Sequence, residues 1–237
     1  MFQSVTVGPQ EAKYLPELMA LLAHDLRNPL SALLANVGFV RSALKGSNQD
    51  VEEALVDSTV SCAVLGQLIS NLDVLGGLFL TAPAARVALG LGSAAADAAS
   101  RAATAASLLD VEIDLSLGEA LRVVVEPVFF GRSLDNLLAN ALQYSPAKSK
   151  VRVECSANGA RGRVTILDAG PVVPSELREL TLTGDGQRIA KQRFEARYGR
   201  GIGLFCAVEA ARIAGAELVV GERGGRATFE LSAPISS

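Results

Sequence analysis

Tryptophan is absent from this chain of 237 residues, aromatic side chains make up only 5% of it, and it has a single histidine. Its apolar fraction of 49% therefore comes mostly from leucine, alanine and valine, which favours helices packed on helices and on a sheet. Cysteine is also scarce: Cys62, Cys155 and Cys206 form neither a CxxC pair nor a metal-ligand spacing. They are predicted to be small core residues of a protein in a reducing compartment, the cytoplasm.

The sequence has neither a long run of like charges nor a long uninterrupted apolar run. The 22 basic and 25 acidic residues give a net charge of −3 without a basic tract, so nucleic acid is not an expected partner. The most apolar region, residues 74–96, is broken by Pro83 and Arg86 and does not reach the roughly 20 apolar residues of a membrane helix. The first residues lack the basic and apolar segments of a signal peptide. We therefore expect no direct membrane insertion, with any sensor on a separate protein or on a segment absent from this chain.

The single histidine, His24, lies in the sequence LLAHDLRNPLSALL, inside a helix predicted over Pro9–Leu44. Most lone histidines on helices are surface residues or hydrogen-bonded core residues. Here, at 100° per residue, nine of the leucines and valines between Leu15 and Leu44 fall on the side opposite His24, and Asn28 falls beside it. Pro29 removes one helix hydrogen bond and is predicted to bend the helix just after the histidine. This pattern favours a histidine that is presented to solvent over one that is packed in a core.

A second long helix is predicted over Val51–Phe79, after the turn sequence KGSNQD. Its seam residues are spaced alternately by four and three, as in a heptad repeat: Val51, Leu55, Ser58, Cys62, Leu65, Ile69, Leu72, Gly76 and Phe79. Two antiparallel helices cannot bury both of their seams as an isolated hairpin, so a homodimer with a four-helix bundle is predicted. The alternative is a hairpin packed on the rest of the same chain. The glycines at 76–77 and Pro83 mark a change of composition, and the domain boundary is placed near residue 85.

The rest of the chain alternates helical and strand patterns, which predicts an α+β domain with a mixed sheet covered by helices on one face. Helices are predicted over Ser93–Leu109, from Pro127 to about Gln143, over Pro174–Leu182 and over Gly203–Ala214, with a loop over Thr183–Tyr198. Strands are predicted over Val111–Leu117, Leu121–Glu126, Val151–Ser156, Arg163–Asp168, Glu217–Gly221 and Arg226–Leu231.

Two asparagines in the helix that begins at Pro127 suit a nucleotide. Asn136 and Asn140 lie one turn apart and share a face. Neutral amide oxygens can complete the oxygen shell of Mg²⁺ while phosphates supply the charge. Asparagine is a poor helix former, so two of them in one apolar helix indicate more than a solvated surface.

Two glycine-containing stretches also suit a nucleotide. Asp168 directly follows a predicted strand, where its carboxylate can accept a hydrogen bond from an exocyclic amine, and Gly170 lets a flat ring approach the backbone. Gly199, Gly201 and Gly203 open a helix whose exposed N–H groups can hold phosphate. The chain has no GxxxxGK[ST] P-loop, and these glycines do not fit a Rossmann fingerprint.

Together these stretches resemble bacterial sensor histidine kinases of two-component systems, over about Pro9–Pro234 and in the family's order. The matching segments are HDLRNPL from His24 for the H-box, residues 136–146 for the N-box, 168–171 for G1, 199–204 for G2 and 224–229 for the last glycine-rich hairpin. The resemblance implies a dimerisation and histidine-phosphotransfer hairpin over residues 1–85. It implies a GHKL (Bergerat-type) α/β sandwich that binds ATP over residues 86–237.

The resemblance assigns the phosphoryl chemistry to the first helix. His24 is implied as the phosphoacceptor, and Asp25 as its general base or the group that orients its ring. A neutral imidazole has one nucleophilic nitrogen, and a carboxylate on the other nitrogen's proton decides which one. Asn28 matches the position that in many family members orients a water for dephosphorylation of the partner. That partner is the receiver domain of a response regulator.

The resemblance also implies an ATP site assembled from three of the boxes. The residues implied there are Asn136, Asn140, Tyr144, Asp168, Gly170, Gly199, Gly201 and Gly203. Asn140 would hold Mg²⁺ with Asn136 nearby, Tyr144 would line the base pocket, and Asp168 would bind the adenine amine. The G2 glycines would close over the phosphates.

The chain departs from the family's pattern at three places. Gln143 stands where the N-box usually has a lysine or arginine. Val172 stands at the second glycine of G1, and its branched side chain resists both close approach and a positive φ. Phe194 is the only phenylalanine from Pro171 to Gly203, so the phenylalanine-rich box is thin.

Two functions are compatible with this sequence. The first is an active kinase that phosphorylates His24 from Mg-ATP, transfers the phosphoryl group to an aspartate of a response regulator, and can also act as a phosphatase. The second is a histidine phosphotransferase or pseudokinase adaptor with a degenerate ATP site, which relays phosphate or binds a partner kinase or receiver. A third, an unrelated GHKL ATPase, leaves the H-box unexplained.

Overall fold

The computed structural model describes residue 26 and residues 29–40, 48–77, 85–172 and 203–236. The chain divides into two compact units, and the change of unit falls between Leu72 and Asp73. This division lies inside a continuous helix. The domain boundary near residue 85, which rests on composition, stays a prediction.

The described part of the first unit is helical. Residues 29–40 form helix α1, and Leu26 is helical as well. Helix α2 covers Asn48–Gly77, so it begins three residues before the predicted Val51. No helix in the described segments is both long and apolar enough to cross a membrane.

The buried stripe of α2 is not the predicted seam. Within the single chain, Ala54, Ser61 and Leu68 are buried, each seven residues from the next. Of the predicted seam residues, Leu55 is 54% exposed and Ile69 is 57% exposed. The predicted seam and the buried stripe are adjacent on α2 and have the same heptad period. Periodicity alone therefore does not show which of the two is buried within a single chain.

The prediction that all three cysteines are core residues is wrong for one of them. Cys62 lies on the exposed stripe of α2, whereas Cys155 and Cys206 are buried. Burial raises the pKa of the Cys155 thiol to about 11. Burial, with a smaller effect from Glu209, also raises the pKa of Cys206. Both buried thiols are therefore protonated and unreactive at neutral pH.

The described part of the second unit contains the end of α2, three further helices and seven strands. The helices are α3 (Leu91–Leu108), α4 (Pro127–Tyr144) and α5 (Gly203–Ala214). The strands are β1 (Val87–Gly90), β2 (Glu112–Ser116), β3 (Arg122–Val125), β4 (Lys150–Asn158), β5 (Arg161–Leu167), β6 (Glu217–Arg223) and β7 (Arg226–Pro234).

Five of these strands form a mixed sheet in the order β2-β4-β5-β7-β6. Strands β2 and β4 are parallel, and the other neighbours are antiparallel. The predicted mixed sheet is therefore confirmed. The sequence analysis missed β1, which pairs antiparallel with β3 in a separate two-stranded sheet. A strand of four residues has no readable alternation, and its partner lies more than thirty residues further along the chain.

The core lies between the sheet and the helices, and α4 packs against both α3 and α5. Its largest fully buried side chains include Phe130 and Leu134 of α4 and Ile166 and Phe229 of the sheet. Alternate residues along the strands face this core, as period-two patterning requires. Helix α4 therefore runs through the middle of the domain, and its position decides where its asparagines point.

The start of α4 is set by local chemistry. Pro127 occupies the first turn, where its missing N–H costs nothing. The carboxylate of Glu126 accepts hydrogen bonds from the N–H groups of Val128 at 3.2 Å and Phe129 at 2.7 Å. This N-cap satisfies two donors that the helix leaves free, which typically stabilises a helix by about 1 kcal/mol. The predicted start at Pro127 is thus confirmed.

Candidate functional site

Two buried amide groups on α4 have unsatisfied hydrogen-bonding atoms. Asn136 is 2% exposed, and its Nδ2 donates to the backbone oxygen of Arg132 at 3.0 Å. Among the described residues, neither Oδ1 of Asn136 nor Nδ2 of Asn140 has a hydrogen-bond partner, although both atoms are buried. Leaving a buried polar atom unpaired costs about 1–3 kcal/mol. Two such atoms one turn apart indicate a site that a polar ligand completes.

The chemistry of this pair fits a divalent cation only in the presence of an anionic ligand. A half-turn of an asparagine amide exchanges its oxygen and nitrogen, so Asn140 can present either atom. In the described part of the chain, no three His, Cys, Asp or Glu side chains are placed to hold a metal. Neutral amide oxygens are adequate ligands for Mg²⁺ when phosphates supply the negative charge and water fills the remaining positions. The residues present therefore fit Mg²⁺ bound together with a polyphosphate.

The end of β5 places a carboxylate beside a tight turn. Asp168 is fully buried. Its Oδ1 accepts a hydrogen bond from the N–H of Gly170 at 2.9 Å, and its own N–H donates to the backbone oxygen of Ala227 at 3.3 Å. A carboxylate has about four lone-pair positions and is a strong acceptor, which is the type of group that binds a ligand amine. The turn thus holds Asp168 in one orientation.

A serine joins this turn to the C-terminal end of α4. The Oγ of Ser145 accepts a hydrogen bond from the N–H of Ala169 at 3.2 Å. Tyr144, the last residue of α4, is half-buried directly before this contact. Tyr144 is therefore the sequence neighbour of the serine that binds the Asp168 turn, and its place in a base pocket stays a prediction.

A second serine joins the centre of α4 to α5. The buried Oγ of Ser133 donates to the backbone oxygen of Ala207 at 2.8 Å. At the first residue of α5, a Cβ placed on Gly203 would lie 3.4 Å from Oδ1 of Asn136. That is a tight approach to the oxygen that lacks a partner. The described start of α5 is therefore held beside Asn136, and the first turn of a helix presents free N–H groups.

Several predicted site residues lie outside the described residues. These are His24, Asp25, Asn28, Gly199 and Gly201. Their roles stay predictions. Of the residues that are described, Asn136 and Gly203 are brought together directly, and Asp168 and Gly170 lie in one turn, which Ser145 contacts at Ala169.

The departures from the family's pattern can be judged at two positions. Gln143 is exposed on α4. In the part of the chain that is described, the only non-glycine residues with positive φ are Asp110 and Lys148, so Val172 has an ordinary backbone. The turn after Asp168 accommodates Val172 without strain. Phe194 lies outside the described residues.

Sequence reasoning gave no role to Ser133 and Ser145. Ser133 could have been noticed as a polar residue on the face of α4 that carries Phe130, Leu134 and Leu137, all of which are buried. The sequence places Ser145 within the N-box segment but indicates no contact for it. Ser133 and Ser145 form hydrogen bonds with residues that are 74 and 24 positions away in the sequence. No local pattern predicts such contacts.

The match to a known protein family covers this site. Residues 125–237 match the family described as "Histidine kinase-, DNA gyrase B-, and HSP90-like ATPase". Sensor protein IrlS of Burkholderia pseudomallei is 26% identical to the chain over 197 residues, which cover 80% of this chain and 40% of IrlS. The chain thus spans less than half the length of this relative.

Solved structures extend the likeness in fold to most of the chain. Full-length ShkA in complex with AMPPNP has a TM-score of 0.60 and 20% identity, covering 94% of this chain and 46% of that one. Histidine kinase ThkA in complex with response regulator protein TrrA has a TM-score of 0.61 and 17% identity, covering 96% and 64%. At these identities the likeness establishes the fold alone. Taken with the sequence matches, it shows that the chain is similar to sensor histidine kinases, and that residues 125–237 match the histidine kinase-, DNA gyrase B- and HSP90-like ATPases, whose fold is a GHKL-type α/β sandwich.

Proposed function

We propose that the chain is the kinase portion of a two-component sensor, which phosphorylates His24 from Mg-ATP and passes the phosphoryl group to an aspartate of a response regulator. The observation that carries the proposal is the pair of unpartnered buried amide atoms on Asn136 and Asn140. A purely structural helix has no reason to bury two such atoms one turn apart beside a helix N-terminus. A bound nucleotide with its cation removes both penalties.

In this proposal each described group has one task. Asn140 would hold Mg²⁺ together with the phosphates, and the cation would neutralise the negative charge that develops during phosphoryl transfer. Asp168, fixed by the N–H of Gly170, accepts the exocyclic amine of adenine. Tyr144 lines the base pocket, and the N–H groups at the start of α5 face the phosphates. Gly199 and Gly201 complete the phosphate side.

The first unit supplies the acceptor. Neutral His24 attacks the γ-phosphorus with one ring nitrogen, the bond from that phosphorus to the bridging oxygen breaks, and ADP leaves. Asp25 takes or orients the proton on the other ring nitrogen, which keeps the attacking nitrogen's lone pair free. The resulting phosphoimidazole is labile enough to pass its phosphoryl group to a carboxylate. Asn28, four residues after His24, orients the water that hydrolyses the receiver's phosphoaspartate when the opposing, phosphatase activity is required.

The response regulator is proposed by analogy of fold. The ThkA structure that shares this fold contains a response regulator protein. A receiver aspartate is the chemical acceptor that a phosphoimidazole requires, because carboxylate attack regenerates the neutral histidine. The signal itself would reach the chain through a sensor on a partner or on a part of a longer protein, and the site of action would be the cytoplasm.

A second candidate is an adaptor that relays phosphate through His24 without using ATP. The exposed Gln143 favours it, because the N-box cation that would face the phosphates is missing there. Val172 does not favour it, since the turn accommodates valine without a positive φ. The two candidates differ in one measurable property, the affinity for nucleotide.

Titration of the full chain with AMPPNP and Mg²⁺ separates them. We expect saturable binding with one nucleotide per chain and a Kd below about 1 mM, the upper end of usual substrate affinities. Isothermal titration calorimetry measures this Kd. A control titration with AMPPNP in EDTA shows how much of the affinity depends on the cation. Absence of saturation at millimolar nucleotide would leave the adaptor as the function.

The homodimer is proposed from apolar side chains that one chain leaves uncovered. On α1, Leu30, Leu34 and Val37 are 46%, 65% and 49% exposed, and on α2 Leu55 and Ile69 are more than half exposed. These residues repeat at helical spacing on each helix, so they form stripes rather than scattered surface residues. A four-helix bundle with a second copy would bury them.

Replacing Ile69 with glutamate is expected to shift the chain from dimer to monomer at micromolar concentration, because a buried unpaired charge is costly at a bundle seam. Light scattering measures the mass. Val64→Glu is the matched control: Val64 is also a branched apolar residue of α2, 43% exposed, but lies five residues away on the other side of the helix. A wild-type monomer, or dissociation by Val64→Glu alone, would contradict this interface.

A further inference from the structure

Ser145 ends α4 and also contacts the turn that carries Asp168. Its N–H donates to the backbone oxygen of Ala141 at 3.1 Å, which closes the last turn of the helix. Its side-chain oxygen accepts a hydrogen bond from the N–H of Ala169 at 3.2 Å. The serine is therefore fixed from two sides, by the helix through its backbone and by the turn through its hydroxyl oxygen.

The hydroxyl proton of Ser145 has no acceptor among the described residues, because the contact with Ala169 uses the oxygen as an acceptor. A serine hydroxyl has one proton to donate in addition to its lone pairs. Ser149, four residues further along the same loop, donates its own hydroxyl proton to the backbone oxygen of Pro146. Ser145 is half-buried, so a ligand can reach the donor that remains.

This donor lies on the same turn as a buried acceptor. Asp168 is fully buried, and an ionised carboxylate can only accept hydrogen bonds. Ala169, which binds the serine oxygen, follows Asp168 directly, and the N–H of Gly170 holds the carboxylate at 2.9 Å. The turn therefore fixes one donor and one acceptor relative to each other. Such a pair fits a planar ligand that presents a donor and an acceptor on neighbouring atoms.

Adenine presents this pattern. Its exocyclic amine donates, and the ring nitrogens on the two sides of the amine, N1 and N7, accept. With the amine bound to Asp168, the adjacent ring nitrogen requires a donor, and the Ser145 hydroxyl is the donor that the turn supplies. Guanine carries an oxygen in place of the amine, so two acceptors would face each other at Asp168.

We propose that Ser145 is a base-recognition residue, whose hydroxyl donates to the ring nitrogen next to the adenine amine while its oxygen still accepts from Ala169. The role rests on the proposed function, because it needs the adenine amine at Asp168. A serine that only held the turn would use its acceptor alone. Recognition of the base uses both capacities of the hydroxyl, so the donor and the acceptor can be tested separately.

Analogues of the base test the donor atom by atom. Isothermal titration calorimetry with Mg²⁺ measures the Kd of the full chain for ADP, 1-deaza-ADP and 7-deaza-ADP, which carry no γ-phosphoryl group to transfer. We expect Ser145→Ala to weaken ADP binding by about fivefold, the usual size of one neutral hydrogen bond. One analogue, the one without the contacted nitrogen, should bind the wild type about fivefold more weakly than ADP. The same analogue should bind Ser145→Ala and the wild type equally.

Two further variants separate recognition from folding. Ser145→Thr keeps a hydroxyl at the same position, so its Kd for ADP should stay within about twofold of wild type. Ser149→Ala is the matched control, because it removes a hydroxyl of the same loop whose proton already goes to Pro146. It should leave the Kd values for ADP and for both analogues unchanged.

A uniform loss would overturn the proposal. If Ser145→Ala weakened ADP and both analogues by the same factor, Ser145 would only hold the turn of Asp168. Equal binding of ADP and both analogues to the wild type would show that neither ring nitrogen is contacted, whatever the variants do. Both of these results leave the nucleotide site itself in place. A wild-type chain that binds none of the three nucleotides would instead refute the proposed function, and this role of Ser145 with it.

Discussion

Replacing His24 with alanine is expected to abolish the acid-labile, base-stable label that the chain acquires from labelled ATP and Mg²⁺, a loss of more than about a hundredfold. The physical reason is that no second group can substitute: His24 is the only histidine in the sequence. The label is quantified on denatured protein after matched acid and base treatment. Its acid lability separates phosphohistidine from phosphoserine and phosphothreonine.

The His24→Ala chain also distinguishes chemistry from folding. The described nucleotide-site residues belong to the second unit, and His24 belongs to the first. AMPPNP affinity should therefore stay within about twofold of wild type in this variant, a change smaller than 0.5 kcal/mol. Label that persists in His24→Ala would show that the acceptor is a different residue. Loss of label together with loss of nucleotide binding would point to misfolding instead.

Replacing Asn140 with aspartate is expected to eliminate autophosphorylation from ATP while leaving phosphoryl exchange between His24 and a phosphorylated receiver intact. The substitution keeps the shape of the side chain and adds a negative charge at a position where an Asn140 amide atom is buried without a partner. A carboxylate there repels the phosphates and pays a desolvation cost that an amide does not. The measurement pairs labelling from ATP with back-transfer from a labelled receiver.

Asn158 offers a matched control for this substitution. It is exposed at the end of β4, where the hairpin turns through Gly159, which has a φ of 59°. Asn158→Asp makes the same chemical change outside the asparagine pair of α4 and should leave both reactions unchanged. If Asn140→Asp retained autophosphorylation, the asparagine pair would not be the cation and phosphate site. If it also lost back-transfer, Asn140 would act in the first unit's chemistry or in folding.

Much of the second unit could be predicted because its patterns are local. Helix α5 was predicted over the residues that it occupies, Gly203–Ala214, and α4 begins at the predicted Pro127. Glycine, proline and a capping carboxylate act within a few residues of themselves, so their effect is readable in sequence. Strand β1 carries no such signal. It exists because β3 offers a partner, and that pairing depends on the whole fold.

Burial on α2 was the least predictable feature. The seam that includes Leu55, Cys62 and Ile69 was predicted from its heptad spacing, yet the single chain buries Ala54, Ser61 and Leu68 instead. Both stripes have the same period, and burial depends on which neighbour a stripe meets. A second copy of the chain remains the proposed cover for the exposed stripe.

The sequence alone indicated the order of the boxes, the resemblance to sensor histidine kinases and the types of group that a nucleotide site needs. Each of these depends only on residue type and on short spacings along the chain. Only the tertiary structure decided which of those groups meet. Ser133 holds α5 so that Gly203 faces Asn136, and Ser145 holds the turn of Asp168 against the end of α4. Such contacts join residues far apart in the chain, and their geometry follows from packing rather than from any local preference.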